Sequence, residues 1–502
     1  MKKTVVWLML ITIVSKVIGF SRDLVLAYFY GTSNISDAYL ISLTIPIVLF
    51  SFIGAGITAS YIPIYSAIEK EQGESVAFDY TSNLINLILV LCVILFGLSY
   101  VFAKPLVMIF ASGFNEETLT LAIQFTRISM LSVFFSGMVF VFQSLLQVKN
   151  KFYIPALVGL PLNGVFLLSI VLSQNDNLII LAIGSVIAIL AQFIFLYPFI
   201  HQSGFRYKRI LKINDEHIKT MIKVALPVII GVSVNEINIL VDRTLASQIA
   251  IGGISSLTYA NRLNGFIVNI FVITIATVLF PTIAKMAVVN NMDGLKRAVM
   301  RSMNAISIIL IPATIGFMVF ARPIIELLYG RGEFSESAIV MTSSALFFYS
   351  IGMLGYSYRE ILAKAFYSMQ DTATPMKNAT IGVVVNIILN FILSSMMGIS
   401  GLALATSISS TLTFILLMLS LRQKVGTLGF SNMVMTYVKI LMISLIMAAV
   451  SWYVYSSMLS HVTNTLALLI AIVCGMIVYG LLLLFVKIEE VDDLIQPLLR
   501  RL

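Results

Sequence analysis

Long runs of apolar residues, each separated from the next by a short polar segment, follow one another along the whole chain. A helix needs about 20 apolar residues to cross a bilayer, and fourteen stretches reach that length. We therefore predict an all-α polytopic membrane protein with about fourteen transmembrane helices. The predicted helices cover residues 5–30, 36–64, 82–112, 117–148, 154–174, 177–200, 217–249, 254–286, 296–328, 336–369, 376–397, 401–422, 433–458 and 463–486.

The basic residues of the loops support this count and predict an orientation. Loops that follow even-numbered helices contain Lys and Arg, whereas loops that follow odd-numbered helices contain almost none apart from Arg331. Because short cytoplasmic loops carry an excess of Lys and Arg, both termini are predicted to be cytoplasmic. The basic loop residues are Lys70, Lys149, Lys151, Arg206, Lys208, Arg209, Lys212, Lys285, Lys296, Arg297, Lys377, Arg422 and Lys424.

An internal repeat divides the chain. Four features recur at offsets of 218 to 220 residues: Asp23–Ala27 as Asp242–Ala246, Pro63 as Pro281, Lys104-Pro105 as Arg322-Pro323, and Pro155 as Pro375. Pro63 and Pro281 are expected to end helices 2 and 8. Six helices per repeat predict two parallel six-helix lobes, residues 1–202 and 203–424, with a site between them. Residues 425–502 would add helices 13 and 14 and a cytoplasmic tail.

Composition excludes several classes of function. The chain is 59% hydrophobic and only 11% charged, whereas soluble domains carry about 25% charged residues. The net charge of +9 lies in loops on one side of the membrane, which argues against nucleic acid as a partner. Cys92 and Cys474 lie in apolar runs, so no disulfide framework is expected. No Walker A loop, nucleophile elbow or HExxH pattern occurs, and we predict a transporter and not an enzyme.

The first predicted helix carries three charges, Lys16, Arg22 and Asp23. A charge at bilayer depth costs about 2.5 kcal/mol or more on insertion scales. One interpretation is an anion site, because Arg binds phosphate oxygens in a bidentate fork and Gly19 permits a bend that aims both cations into one cavity. The other is a structural Arg–Asp pair with Lys16 reaching the interface. The residues alone leave both open.

Asn386 and Asn390 lie one turn apart on predicted helix 11. Their amide oxygens suit a hard cation such as sodium. Hydrogen bonding between helices is the more ordinary use of Asn in a membrane, and the pattern alone favours it.

Five segments resemble one known family. They are SKVIGFSRDLVLAYFYGTSNISDAYLISLTIPI (15–47), IPALVGLPLN (154–163), YANRL (259–263), YGRGEF (329–334) and AFYSMQDTATPMKNA (365–379). They resemble the MurJ/MviN family of lipid II flippases, part of the multidrug, oligosaccharidyl-lipid and polysaccharide exporter superfamily. The resemblance implies alternating-access flipping of lipid II, an undecaprenyl-pyrophosphate-linked peptidoglycan precursor, to the outer leaflet of a bacterial plasma membrane during cell-wall biogenesis.

The resemblance also implies site residues and partners. By position, the substrate-binding residues of the family fall on Ser15, Lys16, Arg22, Asp23, Asp37, Asn163 and Arg262. The sodium site of some members falls on Asp242, Asn386, Asn390 and Thr406. Because Asn390 replaces an acidic residue, sodium binding is expected to be weak, and no other cofactor is expected. The expected partners are lipid II, membrane lipids and the cell-wall synthesis machinery.

Three departures from the family pattern leave the substrate open. Lys16 replaces the usual Arg, Phe50 replaces a basic residue of helix 2, and Gly265 replaces an acid after Arg262. A flippase for another undecaprenyl-linked oligosaccharide, of capsule or another cell-wall glycan, is therefore an alternative. A small-molecule or multidrug exporter of the same superfamily is a second alternative, although the cations of helices 1 and 8 argue against a cavity built for cationic drugs.

Overall fold

The computed structural model describes residues 2–174, 177–289, 291–426 and 430–486, and the regular elements of these ranges are all helices. The nineteen helices are α1 (Lys2–Tyr30), α2 (Asn34–Gln72), α3 (Glu74–Val101), α4 (Ala103–Phe110), α5 (Glu116–Ser129), α6 (Ser132–Val148), α7 (Tyr153–Leu157), α8 (Gly159–Leu172), α9 (Ile179–His201), α10 (Glu216–Ile249), α11 (Gly253–Val288), α12 (Met292–Val319), α13 (Ala321–Tyr329), α14 (Glu336–Ile351), α15 (Met353–Ser368), α16 (Ala373–Met397), α17 (Ile399–Val425), α18 (Phe430–Met458) and α19 (Asn464–Phe485). The predicted all-helical architecture is confirmed.

Five of the fourteen predicted helices are each broken into two, and two of these breaks follow from the internal repeat. α3 ends at Val101 and α12 ends at Val319. Pro105 and Pro323 each stand four residues later. A proline cannot donate to the carbonyl four residues before it, and its ring clashes with that carbonyl. The same proline in each repeat therefore ends the longer helix at the equivalent residue.

Membrane-spanning length is common among these helices. In the described residues, ten segments are long and apolar enough to cross a bilayer, and one of them is formed by α7 and α8 together. Two further pairs, α5 with α6 and α14 with α15, meet the same test as bent spans, with bends of 44° and 45°. With α1 and α11, which are 29 and 36 residues long, these make the fourteen predicted elements. The count of fourteen crossings stays a prediction.

Pro63 does not end its helix, so that expectation was wrong. α2 continues past Pro63 to Gln72 and ends at Gly73, whose φ is 89°. The extension is held by packing, because Tyr65 and Ile68 are buried. Pro281 also lies inside a helix, α11.

The residues fall into two compact units. Described residues of Met1–Ser255 and Gly332–Phe334 form the first unit, and those of Ser256–Arg331 and Ser335–Leu502 form the second. In the first unit, α2 packs against α3, α5, α6 and α10. The lobes predicted from the repeat, with borders after residues 202 and 424, stay a prediction. The tail predicted after residue 486 lies outside the described residues.

The core of the second unit is built on the inward face of α12. Val299, Met303, Ile306 and Leu310 are fully buried there, and their spacing of three and four residues places them on one stripe of the helix. They pack in one cluster with residues of α15 and α17. This packing gives the long helices of the unit a fixed register.

Candidate functional site

Helices α1 and α8 meet along a seam made of three successive residue pairs in the first unit. A β-carbon at Gly159 would lie 2.1 Å from the Ser15 hydroxyl, and one at Gly19 would lie 3.5 Å from the Asn163 amide. The guanidinium carbon of Arg22 lies 5.1 Å from the centre of the Phe166 ring. The members of each pair are 144 residues apart in the sequence, so the two helices run parallel and in register. The seam brings Ser15, Arg22 and Asn163 of the predicted site together.

Arg22 is held from two sides. Its Nε and Nη2 atoms donate to Oδ1 of Asp23 at 3.1 and 2.7 Å, and its guanidinium lies over Phe166. The Arg22 side chain is 17% exposed and that of Asp23 is 5% exposed. A guanidinium over an aromatic face gains electrostatic attraction from the ring. The cation is therefore held in one position, close to the seam, with part of its surface accessible.

Asn163 links the two helices through its side-chain amide. Its Nδ2 donates to the Gly159 carbonyl at 2.8 Å and lies 3.5 Å from the Ser15 carbonyl. Gly19 and Gly159 bring the backbones close enough for this contact. Lys16, the next residue after Ser15, has an exposed side chain, so a second cation stands on α1 beside the seam.

Asp37 lies in the first turn of α2 and caps another helix. Its two carboxylate oxygens accept hydrogen bonds from the backbone amides of Gly252 at 2.9 Å and Ser255 at 2.8 Å. These amides stand at the start of α11, where backbone N–H groups lack helical partners and a negative charge is stabilised. The side chain is 2% exposed, so its environment is that of a structural cap. Its role in binding substrate stays a prediction.

Arg262 and three of the four predicted sodium ligands belong to the second unit. Arg262 is exposed on α11.

Asn390 of α16 donates to Asn386 at 2.9 Å, and Asn386 donates to the Ser409 hydroxyl of α17 at 3.1 Å. Ser409 donates in turn to the Thr406 carbonyl. The amides thus form a hydrogen-bonded network between two helices. Asp242 lies on α10 in the first unit, and the sodium site stays a prediction.

Two of the segments that carry the family resemblance have structural roles. In the segment 329–334, Gly332 has a φ of 64°, and a β-carbon on it would lie 2.1 Å from the Tyr28 carbonyl. The next residue, Glu333, donates its backbone amide to that carbonyl at 2.9 Å. This fixes residues 332–334 against the end of α1.

In the segment 365–379, Asp371 stands just before α16. It accepts from the Thr374 amide at 3.0 Å and the Thr374 hydroxyl at 2.6 Å, and it pairs with Lys424. Burial raises the pKa of this carboxyl, but the hydrogen bonds from Lys424 and Thr374 prevail and lower its pKa to about 2. The carboxylate therefore stays charged and joins the start of α16 to the end of α17.

Two residues of these sites were missed by reasoning from the sequence. Phe166 lies three residues after Asn163, on the same face of α8, and this spacing could have identified it once α8 was known to face α1. Ser409 lies three residues after Thr406 on α17 and could have been found in the same way. Neither carries a charge, so neither stood out among apolar and small residues.

Comparison with known proteins identifies the family of this chain. The sequence model of the family "Lipid II flippase MurJ" matches residues 26–473. A probable lipid II flippase MurJ of Vibrio cholerae is 30% identical over 419 residues, which are 81% of this chain and 80% of that protein. One of Thermotoga maritima is 27% identical over 97% of this chain and 96% of its own length.

Solved structures agree with the sequence matches. A lipid II flippase MurJ in an inward closed conformation has a TM-score of 0.84 and 26% identity, covering 98% of this chain and 100% of its own. An inward-facing multidrug resistance MATE family transporter has a TM-score of 0.70 at 15% identity, covering 82% of this chain and 95% of its own, which shows a shared fold. The resemblance found in the five sequence segments is confirmed, and the chain belongs to the MurJ family of lipid II flippases.

Proposed function

We propose that this chain translocates lipid II from the inner to the outer leaflet of the bacterial plasma membrane by alternating access, with both termini in the cytoplasm. Family membership over residues 26–473 supports the proposal. The observation that carries it is the position of Arg22, a cation at the α1–α8 seam that is held by Asp23 and Phe166 and is still 17% exposed.

The pyrophosphate of lipid II is the chemical group that such a cation suits. A guanidinium forms two parallel hydrogen bonds with phosphate oxygens, and the Arg22 side chain keeps 17% of its surface exposed. We propose that Arg22, Lys16 and Arg262 bind the pyrophosphate, with Ser15 and Asn163 contacting the polar part of the substrate. Asp23 would keep the guanidinium oriented while the site is empty of substrate.

The undecaprenyl chain follows a different path in this proposal. Each methylene buried in an apolar phase gains about 0.8 kcal/mol, so the chain stays in lipid and does not enter a charged cavity. α18 and α19 pack against each other and expose apolar residues such as Leu441, Met442 and Leu481. We propose that the tail lies along this surface while the head group crosses.

The proposal is tested in a bacterial strain whose own lipid II flippase can be depleted. This chain is expressed during depletion, and the fraction of lipid II in the outer leaflet is measured in the same cells. Restored growth with lipid II in the outer leaflet is the expected result. Accumulation of lipid II in the inner leaflet, with the chain present in the membrane at a normal level, would refute the proposal.

A second candidate function rests on Phe50. The resemblance implies a basic residue there, but Phe50 is 2% exposed and stacks on Phe140 with ring centres 6.0 Å apart. One cationic contact to the substrate is therefore replaced by apolar packing. An undecaprenyl-linked saccharide other than that of lipid II would keep the pyrophosphate contacts and change the sugar contacts. Measuring which undecaprenyl-linked glycan accumulates in the inner leaflet on deletion separates the two substrates.

A further inference from the structure

A groove of about 580 Å³ lies in the first unit, apart from the α1–α8 seam. Its walls come from α3, α6 and α9 and include Ile85, Leu89, Phe142, Phe193 and Tyr197, and the exposed residue Arg206 also lines it. Ligand pockets in proteins measure about 300–1,000 Å³ and are mostly apolar with a few polar groups. The groove has the size and the mixed lining of a binding site.

The apolar part of the groove is a built aromatic surface. The rings of Phe142 and Phe193 stack with centres 5.5 Å apart, and Phe205 meets Phe142 edge-on at 6.4 Å. Val90 of α3 and Ile194 of α9 are exposed on the flanking helices. Both helices have membrane-spanning length, so these flanks face lipid and a hydrocarbon chain can enter from the side.

The polar end of the groove is held in place by asparagine side chains of α3. Asn83 donates to the Lys212 carbonyl at 3.0 Å and accepts from the Lys212 amide at 2.7 Å. Asn86 donates to the Ile210 carbonyl at 2.8 Å and accepts from the Tyr207 hydroxyl at 2.5 Å. The segment between α9 and α10 is therefore fixed, and the basic residues on it are presented in a set arrangement.

The charge of this segment is positive. Arg206 and Arg209 are exposed and form no salt bridge within the described part of the chain. Of the neighbouring acids, Asp79 pairs with Lys208 at 2.5 Å and Asp215 caps α10 by accepting from the His217 amide at 2.9 Å, while Glu216 is exposed at the start of α10. The distribution of loop charges predicts this end to be cytoplasmic, where anionic phospholipids attract clustered Lys and Arg.

From this combination we infer that the groove binds an anionic phospholipid. One acyl chain lies on Phe142 and Phe193, and the phosphate is bound by Arg206 with Arg209 nearby. Charge complementarity favours an anionic over a zwitterionic head group, because an arginine forms paired hydrogen bonds with phosphate oxygens and residues 202–215 carry four basic side chains and one acidic side chain, the helix cap Asp215. This lipid is a resident of the membrane and is distinct from the transported substrate.

The test uses the full-length protein purified in a neutral detergent. Thermal unfolding is recorded with added phosphatidylglycerol, with phosphatidylcholine of the same acyl chains, and with glycerol phosphate as a head group without chains. Bound lipid is counted by native mass spectrometry. Phosphatidylglycerol is expected to raise the unfolding temperature and to remain bound, and the other two additives are expected to have little effect.

Arg206→Gln is the first test variant, and Arg297→Gln is its matched control. Arg297 is also exposed, lies on the same predicted side and forms no salt bridge within the described residues, so both variants lose one surface charge. Arg206→Gln is expected to weaken binding of phosphatidylglycerol by about fivefold, the effect of one cation near an anionic lipid, while Arg297→Gln keeps it.

Leu89→Trp is the second test variant. Its larger side chain fills the groove and tests whether the groove binds an acyl chain. It is expected to lose the bound lipid while its unfolding temperature without lipid stays near that of the wild type. Equal effects of Arg206→Gln and Arg297→Gln, equal stabilisation by both phospholipids, or stabilisation by glycerol phosphate alone would overturn the inference.

Discussion

The guanidinium of Arg22 donates two hydrogen bonds to one carboxylate oxygen of Asp23, the residue that follows it in the chain. Consecutive residues of a helix do not normally face each other, and this pair meets because the long arginine side chain turns back across the helix surface. Asp23 is almost completely buried, with a side-chain exposure of 5%. Arg22 therefore has two roles that an alanine substitution removes together: it compensates a buried charge and it offers a cation at the seam.

Arg22→Ala is expected to abolish complementation of a flippase-depleted strain, because the pyrophosphate loses its cation. It is also expected to lower stability, since removing one partner of a buried ion pair costs about 3–5 kcal/mol. Thermal unfolding of the purified variant and lipid II topology in cells measure the two effects. Arg262→Ala, at an exposed position, is expected to abolish function with little loss of stability.

The double variant Arg22→Ala/Asp23→Ala separates the two roles of Arg22. It removes both charges, so stability is expected to return toward that of the wild type while function stays absent. If the double variant regained lipid II translocation together with stability, Arg22 would be a structural residue and its assignment to substrate binding would be wrong.

Lys16→Arg is expected to support growth and Lys16→Glu is not. The Lys16 side chain is exposed, so neither change disturbs packing, and surface changes usually alter stability by no more than about 0.5 kcal/mol. A loss of translocation in Lys16→Glu at normal protein level would then show that the positive charge of Lys16 is needed near the substrate. Normal complementation by Lys16→Glu would show that Lys16 only reaches the membrane interface.

Gly159→Ala is expected to destabilise the α1–α8 seam by about 1–3 kcal/mol, the usual effect of overpacking. Its matched control is Gly164→Ala on the same helix, where a β-carbon would have no neighbour within 4 Å. That variant is expected to be neutral or slightly stabilising, since Ala favours a helix over Gly by about 1 kcal/mol. Both are measured by thermal unfolding in detergent.

Ser15→Ala provides the second half of that test. Because the clash at Gly159 is with the Ser15 hydroxyl oxygen, combining Ser15→Ala with Gly159→Ala is expected to recover most of the lost stability. Equal unfolding temperatures for Gly159→Ala and Gly164→Ala would contradict the close approach of the two helices.

Asp37→Asn is expected to lower stability by about 1–2 kcal/mol, because one oxygen that accepts from the start of α11 is replaced by a donor and the charge is lost. Asp293→Asn is the control, since that carboxylate is 78% exposed and its change should have little effect. Unfolding and lipid II topology are compared for both. Wild-type stability with abolished translocation in Asp37→Asn would favour the substrate contact implied by the resemblance over the helix cap.

Reasoning from the sequence reached the helices and the charged residues because both leave a strong local signal. The break before Pro105 was not predicted, because the apolar run of residues 82–112 was interpreted as one helix and only the proline marks the break. Asp37 was predicted only through the family resemblance, and its partners are the backbone amides of Gly252 and Ser255, which no side chain in the sequence reveals. Phe166 contacts a residue 144 positions away, and only the register of two packed helices identifies it.

A sodium gradient and the membrane potential are the two candidate driving forces for transport. Of the four residues that the resemblance assigns to sodium, only Asp242 carries a full negative charge, and the two asparagine amides already hydrogen-bond to each other and to Ser409. Sodium prefers several oxygen ligands, and a neutral amide oxygen attracts it less than a carboxylate does. We therefore expect weak or absent sodium dependence, with the membrane potential, about 2.3 kcal/mol per charge per 100 mV, as the driving force. Asn390→Asp is expected to create sodium-specific stabilisation, which is measured by thermal unfolding in sodium against potassium. Strong stabilisation of the wild type by sodium, lost in Asp242→Ala, would show instead that the chain uses the site as it stands.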